Sequence, residues 1–342
     1  MTQDDRILLA HGSGGTMMRR LIEDIFIKAF DNDILGRLDD AATLMLPPGR
    51  ISFSTDTYVV KPLFFKGGDI GKLAVCGTVN DVSMTGATPA FISVGFVLEE
   101  GFPVDDLRRI LTSMARAAEE SGVAIVTGDT KVVEKGGADG LFINTAGIGV
   151  IPDGIDIHGA GCRSGDVVLL SGSIGDHGIA VISEREGLAF STSVESDCAP
   201  LNHMISAMVH SCGADVHALR DPTRGGLSSA LNEFAESSGV AIEVDEDIIP
   251  VKAQVRGACE MLGYDVLQVA NEGKLIAVVA PDAVDAALGA IRNSPYGAEA
   301  EIIGRVLEPA KGSPAGKVFL NTSLGSRRVV DMLVGEQLPR IC

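Results

Sequence analysis

Asp69-Ile70-Gly71-Lys72-Leu73-Ala74-Val75-Cys76-Gly77-Thr78-Val79-Asn80-Asp81-Val82-Ser83-Met84-Thr85-Gly86 is the stretch on which the fold turns. Its apolar residues recur at helical spacing, Asp69 suits an N-cap and Gly86 suits a stop. Ile51 to Val60 just upstream reads as a strand, so strand passes directly to helix. One pair breaks the pattern. Asp81 falls one turn after Gly77 and two after Leu73 or Ala74, on the packed side, yet Asp is a poor helix former and costly to bury unpaired. Either Asn80-Asp81 lies on a solvent face, or the local rule is broken for function, and the spacing favours the second.

Working outward, the same grammar repeats. Thr16 to Phe30 has helical apolar spacing at Met17, Leu21, Ile22, Ile25 and Ala29. Val104 to Ser121 is a helix closed by Gly122, followed by strands at Val123 to Val126 and Leu141 to Ile151. Pro152-Asp153-Gly154 and the glycines through Gly165 read as a linker. Beyond it, strands are expected at Val167 to Leu170, Val240 to Val244, Leu275 to Val279 and Ile302 to Val306. Helices are expected at Ile179 to Glu186, Pro200 to Cys212, Gly226 to Ser238, Val251 to Leu262 and Ala283 to Ile291. The predicted class is α/β with mixed sheets. The expected division is a Gly-rich loop and helix at 1–35, a domain at 36–153, a second α/β domain at 154–330, and a mobile tail at 331–342.

Composition bounds the function. The 342 residues carry 46 acidic against 28 basic side chains, a net charge of −18. Such a field repels nucleic-acid phosphates and anionic lipid, so neither is an expected partner. Clustered carboxylates can still recruit a divalent cation that bridges to a nucleotide. Six cysteines without a C-x-x-C pair argue against a zinc ribbon or a disulfide framework and for reduced thiols in the cytoplasm. The opening residues lack a basic-then-apolar leader, and no run of eighteen apolar residues occurs.

Several residues could carry chemistry. Asp40 opens a loop after an acidic run, Asp56 lies in Phe53-Ser54-Thr55-Asp56, Asp129 follows a strand, and Asp221 opens Asp221-Pro222-Thr223-Arg224-Gly225-Gly226. With Asp81 they could meet in one cleft at strand ends, as hard oxygen ligands for Mg2+ beside a nucleotide's phosphates. Each alone is also an ordinary turn or cap residue. His11 to Gly15, Gly175-Asp176-His177-Gly178 and Arg224-Gly225-Gly226 could present backbone N–H groups to phosphate, although none is a P-loop. Asn271-Glu272-Gly273-Lys274 reads equally as a turn, and Lys131 as a solvated charge. Cys342 is the unusual one. A thiol on the last residue has no packing role, stands in the wrong place for a C-a-a-X lipidation signal, and on a flexible arm would make chemistry at a remote site intramolecular.

Phe53 to Asp56, Gly71 to Asp81, Val126-Thr127-Gly128-Asp129-Thr130-Lys131-Val132-Val133, Asn271 to Lys274 and terminal Pro339-Arg340-Ile341-Cys342 together resemble the HypE family of hydrogenase maturation proteins. The resemblance spans nearly the whole chain. The Pro-Arg-Ile-Cys ending is its most specific part, whereas the Asp motifs are similar to those of the wider superfamily of aminoimidazole ribonucleotide synthetase and selenophosphate synthetase. It implies two α/β domains, with N-terminal strands pairing across a homodimer into a barrel whose grooves hold ATP and Mg2+. It implies a carbamoyl dehydratase: HypF places a carbamoyl group on Cys342, ATP drives its dehydration to a thiocyanate, and the cyanide passes to iron on HypC and HypD. On the matching positions it implies Asp40, Asp56, Asp81 and Asp221 at the metal-bridged phosphates, with Asp39 an alternative to Asp40. Asn80, Asp129 and Arg224 would be further nucleotide contacts. Lys131 would stabilise charge on the phosphorylated thiocarbamate, and Glu272 would take its nitrogen protons.

Two other readings compete. A superfamily synthetase or kinase acting on a free small molecule would keep its activity without the last residues. A non-catalytic scaffold with a thiol docking tail would show no ATP turnover.

Overall fold

The computed structural model describes residues 5–188, 194–309, 315–332, 335, 338 and 340–342. The N-terminal helical segment runs through α1 (Thr16–Leu21), a π-helical stretch (Ile22–Ile27) and α2 (Lys28–Phe30). It buries Leu21, Ile25 and Phe26, with Phe26 tilted on Phe96 at 5.0 Å between ring centroids.

Four strands form the first sheet: β1 (Arg50–Tyr58), β4 (Thr88–Glu99), β5 (Ala124–Val133) and β6 (Leu141–Ile151), in the order β1-β6-β4-β5. A small hairpin, β2 (Phe64–Phe65) with β3 (Gly68–Asp69), leads into α3 (Ile70–Ser83). The Asp69 carboxylate accepts from the N–H groups of Gly71 and Lys72 at 2.7 and 3.1 Å, the expected cap. α3 is buried along almost its whole length, because it lies between the sheet and the second half of the molecule. Gly71 lets α4 (Val104–Ser121) approach closely, since a Cβ there would stand 2.6 Å from the Ile110 carbonyl oxygen. α4 is amphipathic: Leu107, Ile110, Leu111 and Met114 are buried in the first core, where α4 packs against α3, each contributing about 1.5–3 kcal/mol by burial.

Two differences from the sequence reading concern this sheet. Thr88–Glu99, left unassigned, is an interior strand; Ile92, Val94, Phe96 and Leu98 point into the core, while Ser93 and Gly95 on the other face dilute the alternation. The strand expected to stop at Val126 continues to Val133, so Asp129 and Lys131 lie within β5 rather than in a loop. The β-branched Thr130, Val132 and Val133 prolong it, paired in parallel to β4.

The second sheet has seven strands in the order β13-β12-β9-β11-β7-β10-β8. They are β7 (Val167–Leu170), β8 (Val216–Arg220), β9 (Ala241–Asp245), β10 (Ile276–Val279), β11 (Glu301–Leu307), β12 (Lys317–Asn321) and β13 (Arg327–Val330). Of these, β8, β12 and β13 were not foreseen. Five helices flank it: α5 (Asp176–Glu186), α6 (Asn202–Cys212), α7 (Gly226–Ser238), α8 (Ala253–Leu262) and α9 (Val284–Arg292). One core packs Leu231 and Phe234 of α7 against Ile242, Ile276 and Val318. The opposite core packs α6 and α9 and reaches Val82 and Ile151 of the first half, so the two halves share buried surface.

The chain end, expected to be a mobile arm, is seated in this structure, although Pro339 lies outside the described residues. Ile341 is buried; the Val59 N–H donates to the terminal carboxylate of Cys342 and the Lys61 N–H to the Arg340 carbonyl, both at 3.3 Å, so the chain end lies along the segment just beyond β1. Among the described residues no helix is long and apolar enough to cross a membrane.

Candidate active site

The seated end lies against the cleft between the two halves. β1 turns Ser54 and Asp56 inward, α3 offers Asp81, and the loop from β8 to α7 brings Asp221 and Arg224. Together they line one cleft that is open to solvent. Ser54 Oγ donates to Asp81 Oδ2 at 2.9 Å, and Arg224 Nη2 to Asp56 Oδ1 at 3.2 Å. Burial, then the charges of Asp81 and Asp56, push the Asp221 carboxyl up to about 7. Burial likewise raises Asp81, against the Ser54 hydrogen bond. Three carboxylates thus share a site with too little positive charge. Among the described residues no three are arranged as a ready-made metal cage. Such a set suits Mg2+, which keeps waters and is held by one or two carboxylates together with phosphate oxygens.

Cys342 and Glu272 meet at the same cleft. Burial first, and the Glu272 charge next, push the Cys342 thiol up to about 12, although the nearby Arg224 guanidinium opposes the shift. Glu272 is 3% exposed, burial drives its carboxyl well above the usual range, and among the described residues its Oε1 has no hydrogen-bond partner. Such a group needs exact placement, and three side chains supply it. The Asp197 carboxylate accepts from the N–H groups of Glu272 and Gly273 at 3.1 and 3.3 Å. Asn80 Nδ2 donates to the Glu272 and Ala199 carbonyls at 3.4 and 3.1 Å, and its Oδ1 accepts from Leu201 N–H at 2.8 Å. Asn271 accepts from Gly175 N–H at 2.7 Å and donates to the Pro222 carbonyl at 3.0 Å. Asn271-Glu272-Gly273-Lys274 is therefore a buried loop anchored by side chains, not an exposed turn.

The structure brings together Asp56, Asp81, Asp221, Arg224, Glu272 and Cys342. It does not bring the others. Asp129 and Lys131 form an exposed ion pair of 2.7 Å on β5, at the opposite sheet edge from β1. Asp40 is exposed and lines a separate groove with Phe53 and Thr127 on the outer sheet face. Asn80 is buried, with its amide engaged by backbone groups of Ala199, Leu201 and Glu272. The Gly175 and Gly178 N–H groups are taken by Asn271 and the Ala270 carbonyl, so that loop offers them to no phosphate. The sequence reading missed Ser196 and Asp197, which nothing but their place in a polar run distinguishes, and the inward contact of His177.

The comparisons with known proteins fit this geometry. The AIR synthase related protein N-terminal domain matches residues 38–151, and the C-terminal domain of the same description matches 163–317. Fold and site thus define an AIR synthase related protein of two domains. Carbamoyl dehydratase HypE of Rhizobium leguminosarum bv. viciae is 55% identical over 337 residues, covering 98% of this chain and 95% of its own. The crystal structure of hydrogenase maturation protein HypE in complex with ATP superposes with a TM-score of 0.95 at 51% identity, covering 98% of this chain and 99% of that one. HypE in a HypE–HypF complex gives 0.80 at 51%, covering 92% and 99%. The chain belongs to the HypE family, the carbamoyl dehydratases of hydrogenase maturation.

Proposed function

We propose that this protein uses ATP to dehydrate a carbamoyl group carried on the sulfur of its own Cys342, leaving a protein-bound thiocyanate whose cyanide becomes an iron ligand of [NiFe]-hydrogenase. The observation that carries the reading is the seating of the terminal thiol beside Glu272 and Arg224 in a carboxylate-lined cleft. An amide oxygen is a poor leaving group. The thiocarbamate oxygen attacks the terminal phosphorus of ATP, ADP leaves, and the first nitrogen proton is lost. Release of phosphate with the second proton then forms the C≡N bond. Glu272, made more basic by burial and with Oε1 unengaged, takes protons from nitrogen. Arg224 balances charge near the sulfur.

Asp56, Asp81 and Asp221 are the residues that would hold Mg2+, which would supply positive charge beside the nucleotide's phosphates. An apolar pocket walled by Ile22, Phe26, Phe30 and Phe96 and rimmed by Thr127 and Asp129 suits a purine ring. Pairing of the β1 edge of one copy with the β5 edge of another would close a barrel over the outer face, where Ile51 and Phe53 are 55% and 68% exposed. The same pairing supplies Lys131, Asp129 and Asp40 to the cleft of the other copy, Lys131 to stabilise the phosphorylated thiocarbamate. We assign HypF as carbamoyl donor, which the solved HypE–HypF complex supports, HypC and HypD as cyanide acceptors, and the cytoplasm as the location, since all six cysteines are free.

The test is peptide mass analysis of HypF-carbamoylated protein before and after ATP and Mg2+, with Cys342→Ala as control. Loss of one water from the terminal peptide, only with ATP, is expected. An unchanged adduct, or one on another cysteine, would return the free-substrate and scaffold readings.

A further inference from the structure

The seated terminus is held mostly by exposed side chains. Arg185 Nη2 donates to the Arg340 carbonyl at 2.6 Å, and Arg340 itself reaches Asp139 Oδ2 at 2.7 Å and the Val59 carbonyl at 3.2 Å. One contact is different. His177 on α5, with no solvent exposure, places Nε2 3.0 Å from the Ile341 carbonyl oxygen. Its Nδ1 lies 2.8 Å from Ser196 Oγ, and Phe65 packs edge-on to the ring at 5.4 Å.

The chemistry fixes the proton positions. A carbonyl oxygen only accepts, so Nε2 carries hydrogen. Ser196 Oγ accepts from Cys198 N–H at 3.1 Å, which leaves the serine proton for Nδ1. Burial lowers the imidazole pKa and keeps the ring neutral, in agreement with an accepting Nδ1. Donation therefore runs one way, from Cys198 through Ser196 and His177 to Ile341.

We propose that His177 is a positioning residue for the terminal segment: its Nε2–H holds the Ile341 carbonyl, one residue before the reacting sulfur, and so sets how often Cys342 sits beside Glu272. The proposal rests on Cys342 being the carbamoyl carrier. A largely buried sulfur beside Glu272 is closed to a second protein, so carbamoylation needs the segment out, whereas dehydration needs it in. The latch grips backbone rather than the cysteine side chain, so its hydrogen bond is unchanged whether the sulfur carries hydrogen, carbamoyl or cyanide. Weakening it therefore acts oppositely on the two steps.

Docking is read without carbamoyl chemistry by the iodoacetamide alkylation rate of Cys342, followed by mass of the terminal peptide in the unmodified protein. His177→Leu is expected to raise that rate roughly ten-fold, the equivalent of one buried hydrogen bond. His177→Gln, whose Nε2 still donates, is expected to return it to within roughly two-fold of wild type. In single turnovers with ATP and Mg2+, carbamoylated His177→Leu should dehydrate roughly ten-fold more slowly, while its carbamoylation by HypF is undiminished. Equal alkylation of folded wild type and His177→Leu, no rescue by Gln, or equal loss in both steps would overturn the latch. No dehydration even in wild type would overturn the carbamoyl reading instead and leave the alkylation result to decide the latch. Should His177→Leu fail to fold, the ring 15N signals of His177 in the wild-type chain decide. A neutral ring protonated on Nε2 supports the latch, and a charged ring or one protonated on Nδ1 refutes it.

Discussion

Replacing Asp221 by Asn should stabilise the metal-free protein at alkaline pH while removing its activity. Burial and the neighbouring Asp81 and Asp56 charges push the Asp221 carboxyl from 3.8 up to about 7. A carboxyl raised in the folded state favours folding fully below its ordinary pKa, and that advantage is lost progressively as pH rises from there through about 7. Between pH 5 and pH 8 the loss integrates to about 3 kcal/mol, at about 1.4 kcal/mol per unit. Asp221 keeps some contact with solvent, which brings the expectation to about 1–2 kcal/mol. Asn has the same shape and no charge, so it escapes this term. Urea unfolding of both proteins at pH 5 and pH 8, in EDTA, should show the wild type falling by about 1–2 kcal/mol more than Asp221→Asn. Mg2+ with ATP should restore the wild type alone, and dehydration by the variant should fall at least about 100-fold. Parallel pH profiles, or a variant less stable than wild type at pH 8, would refute the claim that the three carboxylates strain one another.

The seated terminus has its own pH dependence. With the Cys342 thiol pushed up to about 12 when docked, docking is strongest below the free thiol's ordinary pKa and weakens as pH rises above it; carboxypeptidase trimming should accelerate from pH 7 to pH 10 in wild type and stay flat in Cys342→Ser. Glu272→Gln should leave carbamoylation intact and slow dehydration about 100- to 10,000-fold, as rapid-quench mass analysis would reveal. A Cβ on Gly77 would collide with the buried Tyr58 hydroxyl, so Gly77→Ala should cost about 1–3 kcal/mol in urea unfolding. Gly257→Ala in α8, where a Cβ meets nothing within 4 Å, should be neutral or stabilising.

Much of this was written locally. The 69–86 helix with its Asp cap and the α4 face read directly, because caps and periodicity act over a few residues. Asp81 stood out as a carboxylate on a packed face, and Cys342 as a thiol with no packing role. What the tertiary structure alone decided was company. Asp56, Asp81 and Asp221 share a cleft because β1, α3 and the loop after β8 converge, whereas Asp129 and Lys131, equally prominent as a motif, stand at the far edge of the first sheet. Asn80 proved to be a buried clamp because the segments it holds, near 199–201 and 272, come from the other half of the chain. Strand order and backbone pairing between distant segments carry no local signature; they follow from which apolar faces bury one another, and that is settled only when the whole chain packs.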